Sequence, residues 1–140
     1  MTLQQVVNTL QRIALSQHNV RSCGYGNLYS DLNSNPNIKY DVFYLTDNQH
    51  QRDGDFDRYS FNLFYISRLE NIDGDNMLQI HSIGKSVLDN IVQIFCEDYD
   101  AEIYGTAYYQ TFTQRFADLT AGVYMIVTLQ VPVDNTCIDE

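Results

Sequence analysis

Apolar residues recur along the start of the chain at three- and four-residue intervals: Leu3, Val6, Val7, Leu10, Ile13 and Ala14. This spacing predicts an amphipathic helix over residues 3–16, with Thr2 as its cap and Gln4, Gln5, Gln11 and Arg12 on the polar side. The polar stretch that follows, "SQHNVRSCGYGNLYSDLNSNPN", is rich in Gly, Asn, Ser and Pro, which favour turns and extended chain. About 20 residues of irregular chain is long for a compact domain. An extended arm or loop is therefore expected at about 17–37, including a short strand near 25–29.

The period then changes to two. In "IKYDVFYLT" (38–46), Ile38, Tyr40, Val42 and Tyr44 lie on one face and Lys39, Asp41, Phe43 and Leu45 on the other. In "RYSFNLFYISRLE" (58–70), Tyr59, Phe61, Leu63 and Tyr65 alternate with Ser60, Asn62, Phe64 and Ile66. The two runs predict a long hairpin whose tip, "DNQHQRDGDFD", is polar and acidic. A second helix is predicted within 72–99, capped by Asp73 or Asp75, with Ile80, Ile83, Val87, Leu88, Ile91, Ile94 and Phe95 as its buried stripe. Gly84 falls on that stripe, where a missing side chain permits close approach to a sheet. Two more strands follow, "IYGTAYYQTFTQ" and "GVYMIVTLQVP"; in the second, Val123, Met125, Val127, Leu129 and Val131 form the core face. This order predicts a single α+β domain over 1–140, two helices packed on a mainly antiparallel sheet, with a flexible tail at about 133–140.

Composition narrows the function. Net charge is −10 and the pI about 4.4, and the eight basic residues are scattered singly. A tight grip on the phosphate backbone needs clustered Lys and Arg, so firm DNA or RNA binding is not expected, nor is attachment to an anionic membrane. Residues 119–131 carry no charge, yet the run is too short and too alternating for a membrane helix of about 20 residues. The N-terminus lacks a signal peptide's basic start and continuous apolar core. A soluble protein made in the cytoplasm and not exported is expected. Cys23, Cys96 and Cys137 have no metal spacing and read as reduced thiols.

Candidate chemistry is sparse. Asp53, Asp55 and Asp57, like Asp73 and Asp75, invite a calcium reading because hard cations need several oxygens together. Counted from Asp53, the sixth and twelfth positions of a calcium loop hold Arg58 and Phe64 instead of Gly and Glu; a turn and a helix cap account for the clusters better. His18, His50 and His81 share no ligand pattern, "CGYGN" lacks the Lys of a phosphate loop, and no Ser or Cys has activating neighbours. Tyr108 and Tyr109 could stack bases, but no basic groove accompanies them. No catalytic, cofactor or metal site is expected, and the chain is not expected to be an enzyme.

The element order and the closing "FTQRFADLTAGVYMIVTLQVP" resemble small neck and tail-completion proteins of tailed bacteriophages, of the tail-terminator and head–tail-connector kind. The resemblance is carried by Phe116, Asp118, Leu119, Ala121 and Gly122, followed by 123–132; elsewhere it is one of outline. The Tyr- and Asn-rich style is similar to that of phages of gut Bacteroidales, including the crAss-like group. The resemblance implies a virion protein forming a homo-oligomeric ring of six or twelve subunits, stacked against portal, ring or tail-tube proteins, with DNA passing through. It implies no cofactor and no catalytic residue. On this reading Asp53, Asp55 and Asp57 face the lumen or the next ring, where like charge keeps DNA from sticking, and Tyr25, Tyr29, Tyr124 and Ile126 lie at subunit interfaces. The alternative is a small acidic adaptor or inhibitor that binds a basic protein inside the cell.

Overall fold

The computed structural model describes residues 1–34, 38–69, 74–115 and 118–133. Thr2 starts helix α1 (Leu3–Leu15) with a reciprocal cap: the Gln5 amide donates to Thr2 Oγ1 at 3.2 Å and the Thr2 amide to Gln5 Oε1 at 2.8 Å. The apolar stripe of α1 is buried as its spacing dictates. The described part of the stretch expected as an arm, residues 17–34, instead folds back on the domain. Strand β1 (Ser22–Tyr25) pairs in parallel with β2 (Val42–Asp47), and a short third helix, α2 (Leu28–Ser34), follows. Asn27 caps α2 by accepting from the Ser30 amide, and Leu28 and Leu32 are buried. These two leucines, one helical turn apart, and a hydrogen bond from Tyr44 to Asp31 fasten a segment whose polar composition reads as loop.

The hairpin forms between β2 and the long strand β4 (Phe56–Arg68), in register from Val42↔Ile66 to Asp47↔Phe61. Its first strand begins at Val42 rather than Ile38. The tip is itself ordered: β3 (Gln51–Asp53) pairs back on β4 across the two-residue turn Gly54–Asp55, where Gly54 takes a φ of 62°. Helix α3 (Gly74–Tyr99) leads to β5 (Glu102–Ile103), β6 (Tyr108–Arg115) and β7 (Leu119–Pro132). Asp75 lies in the first turn of α3, while Asp73 and the tail from 134 onward lie outside the described residues.

The seven strands make one mostly antiparallel sheet in an α+β domain. β4 and β7 form its centre, paired without a break from Phe56↔Pro132 to Arg68↔Thr120. β2 and β3 flank β4, and β5 and β6 flank β7. The inner face carries Phe43, Leu45, Phe61, Leu63 and Tyr65 together with alternate residues of β7 from Val123 to Val131, all at 1 % exposure or less. α1 and α3 cover it. Burial of each such side chain contributes about 1.5–3 kcal/mol.

Glycine sets the closest contacts. A Cβ at Gly84 would stand 2.8 Å from Tyr65 Cδ1, so α3 approaches the sheet there as its sequence position anticipates. Gly122 is tighter: its Cβ would lie 2.0 Å from the Tyr65 carbonyl oxygen and 2.9 Å from Phe112 Cζ. The Phe112 ring occupies the space a side chain would fill. Gly122→Ala should therefore lower stability by about 3 kcal/mol, because backbone must move. Gly74→Ala, with no neighbour within 4 Å of the added carbon, should stay within about 0.5 kcal/mol. Urea unfolding of both variants checks the pair.

Candidate interaction surface

The three aspartates of the hairpin tip do not converge. Strand alternation puts Asp53 on the outer face and Asp57 on the inner one. Asp53 pairs with Arg58 at 2.7 Å and Asp57 with Arg52 at 3.1 Å, while Asp55 forms no ion pair among the described residues. Two of the three charges are thus matched locally. Among the described residues, no group of three or more His, Cys, Asp or Glu is arranged to hold a metal ion.

Surplus negative charge lies close by. Glu102 of β5 pairs with Gln130, which also pairs with Arg58, so the tip and the C-terminal end of α3 share one end of the sheet. Glu97, Asp98, Asp100 and Glu102 gather there without an ion pair among the described residues. The last turn of α3 has no basic residue. The helix dipole already makes this terminus negative, so each carboxylate adds repulsion. Asp100 also takes a left-handed backbone, φ 53°, as the Ala101 amide closes the helix onto the Cys96 carbonyl. We term this end the acidic pole.

The outer sheet face divides in two. α2 covers one end, where Leu28 and Leu32 pack with Val42, Tyr44 and Ile66. The other end is open and carries Tyr104, Tyr108 and Ile126, exposed by 50, 62 and 37 %, among Asn62, Thr128 and Gln130. Arg58 stacks over the Tyr104 ring at 3.7 Å. Tyr124 is half-buried beside Phe64, ring centroids 5.1 Å apart, and donates to Gln110 Oε1 at 2.7 Å. Tyr124 and Ile126 therefore share this face. Tyr25 lies on the opposite face against α1, and Tyr29 is exposed on α2, so the four residues form no single patch. β6 forms the sheet edge beside the open face. It pairs only with β7 among the described strands and has no charged residue from Tyr108 to Gln114. Edge strands are ordinarily blunted by charge, Pro or a bulge.

The abundance of Tyr and Asp has a structural outlet that residue patterns alone did not reveal. Tyr25 donates to Asp47, Tyr44 to Asp31, Tyr65 to Asp41 and Tyr109 to Asp89. Each bond clips one element to another. The bond to Asp47, aided by burial, pushes the Tyr25 phenol up to about 12. Burial first, then the Asp partner, raises Tyr44, Tyr65 and Tyr109. The histidines are engaged or peripheral. His50 Nδ1 accepts from the Ser60 amide at 3.1 Å and its Nε2 meets Asp47 at 2.9 Å, His81 Nε2 lies 3.4 Å from the Phe112 carbonyl, and His18 is exposed. Burial raises the Cys23 and Cys96 thiols, disfavouring thiolate; Cys137 lies outside the described residues.

No protein-family model matches the chain, and no curated protein matches it in sequence. No helix among the described residues is long and apolar enough to cross a membrane.

Two outcomes follow from this geometry. Below the ordinary phenol value of 10.0, the four clipped tyrosines are protonated in both folded and unfolded chain, and their contribution is complete. As pH rises above that value the unfolded chain releases these protons while the folded chain keeps them, so stability falls through pH 10–12 and beyond. Phenolate absorbance and far-UV circular dichroism should change together in an alkaline titration. Asp100→Gly should raise stability by about 0.5–1 kcal/mol, since Gly accepts the left-handed backbone and one charge leaves the pole. Thermal unfolding measures it.

Proposed function

We propose that the chain is a structural virion protein of a phage neck or tail, forming a ring of six or twelve subunits through which DNA passes. The observation that carries this reading is that one subunit presents two unlike sheet edges, the uncharged β6 and, across the sheet, β1. A ring needs two different, mutually complementary surfaces on each copy, repeated by a rotation that closes. β6, with the half-apolar face bearing Tyr108, Tyr124 and Ile126, supplies one such surface. The opposite sheet edge, β1 with its exposed Tyr25, supplies the other. Tyrosines of this kind suit wet, partly polar interfaces.

Facing the channel, the acidic pole would repel the phosphate backbone and let DNA slide without sticking. Asp55 contributes there directly, Asp53 and Asp57 less, because their arginine partners cancel them locally. Adjacent portal, ring or tail-tube proteins would stack above and below. The ends of the sheet are the natural contact sites.

The acidic pole also favours a second reading, an intracellular adaptor or inhibitor that holds a basic protein. Sedimentation velocity and particle imaging of concentrated protein distinguish the two. Closed rings of uniform size are expected, and Ile126→Lys should abolish them without unfolding the chain. A wild-type protein that remains monomeric up to about 1 mM, where even contacts of roughly 4 kcal/mol become populated, would overturn the ring.

A further inference from the structure

A groove of about 420 Å³ lies between the C-terminal half of α3 and the sheet edge made by β5 and β6. It exists because the edge is interrupted. After Tyr104, whose amide still donates to the Thr128 carbonyl at 2.9 Å, the chain leaves the ladder through a turn at Gly105, φ 73°, and rejoins it at Tyr108, leaving a notch in the sheet edge beside β7. The groove floor is apolar, with Val92 and Met125 at 3 and 1 % exposure and Cys96 half-buried. Ile103 and Tyr109 form the far wall and are themselves well exposed.

Its lips are acidic. Glu97 stands on the helix side and Glu102 on the strand side, neither in an ion pair among the described residues. Glu97 accepts only a neutral bond, from Gln93 Nε2 at 3.1 Å. At the other end Asp89 is already held by Lys85 at 2.9 Å and by Tyr109. The field of the lips reaches the floor: after burial, Glu102 and Glu97 are what raise the Cys96 thiol.

We propose that this groove docks a segment of a partner protein that presents an aliphatic side chain flanked by Lys or Arg. The aliphatic group covers the exposed apolar surface of Ile103, Tyr109 and Cys96 above Val92 and Met125, and the flanking cations meet Glu97 and Glu102. Charge complementarity selects this occupant over a second copy of the chain. The chain carries a net charge of −10, which opposes self-association, and four of its eight basic residues, Arg52, Arg58, Arg68 and Lys85, are already in ion pairs. The inference is independent of the ring: a segment bound at Glu97 and Glu102 leaves Asp55, Asp98 and Asp100 to face a channel, and its failure leaves the ring question untouched.

Methionine methyl NMR of the full chain tests it, because Met125 lies in the floor while Met1 and Met77 lie outside the groove. The probe is a synthetic Lys-Arg-Leu-Lys-Arg peptide; the controls are the same peptide with Ala for Leu, and spermine. The Leu peptide should shift Met125 saturably and leave Met77 in place. Fluorescence polarisation should show the Ala peptide binding roughly tenfold more weakly, as loss of one buried aliphatic group requires. The Glu97→Gln/Glu102→Gln variant, altered only at exposed positions, should lose about tenfold in affinity and show a shallower salt dependence. Three results would each overturn the proposal: no Met125 shift, equal shifts with spermine or the Ala peptide, or a Met125 shift that tracks protein concentration without peptide. The last would make a second copy the occupant.

Discussion

Everything in this molecule hangs on the pairing of β4 with β7. The two strands are buried on their inner sides along most of their length, and a slip of one residue would turn every inner side chain to the outer face. Tyr65 pins the register. Its ring lies against Gly84 of α3, its carbonyl against Gly122 of β7, and its hydroxyl donates to Asp41 ahead of β2. One residue thus fixes a helix, a strand and a loop relative to each other, and neither glycine can gain a side chain without moving it. The Phe64, Phe112 and Tyr124 rings seal the outer side of the same junction.

What the sequence conveyed was mostly periodicity. The alternation of β4 and β7 and the stripes of α1 and α3 were legible because burial on one face writes a period of 2 or 3.6 into the chain. Val92 escaped the predicted α3 stripe because the buried arc of this helix is turned toward Gly84 and Val92, which leaves Ile83 and Ile94 only partly buried. α2 escaped because Leu28 and Leu32, with the bond from Tyr44 to Asp31, dock a segment that otherwise reads as polar loop. The tip aspartates read as a cluster along the chain, but strand alternation sends Asp53 and Asp57 to opposite faces. The groove beneath α3 was invisible for a different reason. Its floor joins Val92 to Met125, and no local pattern reports such a distant juxtaposition.

The acidic pole sets local preference against the whole. Helix termini of this kind favour cations, and left-handed positions favour glycine, yet this one carries four carboxylates, one of them at the left-handed Asp100. The cap at Thr2 and the turn at Gly54 follow the rules closely. The acidic pole thus forgoes stability that a cation or a glycine would supply there, which points to a role other than stability. This contrast supports placing DNA repulsion or capture of a basic segment there.

The position of β7 has a consequence for how the chain is made. It is the last described strand in sequence, yet it sits in the middle of the sheet and joins residues as distant as Phe56 and Pro132. Until the ribosome has released that strand, β4 has a bare edge and the inner faces of α1 and α3 lack half their core. Folding must therefore wait for nearly the whole chain, and long-range pairing of this sort is slow. During the interval the nascent chain exposes an unsatisfied strand that other chains could join. Its many carboxylates, by mutual repulsion, would hold such copies apart until the centre closes.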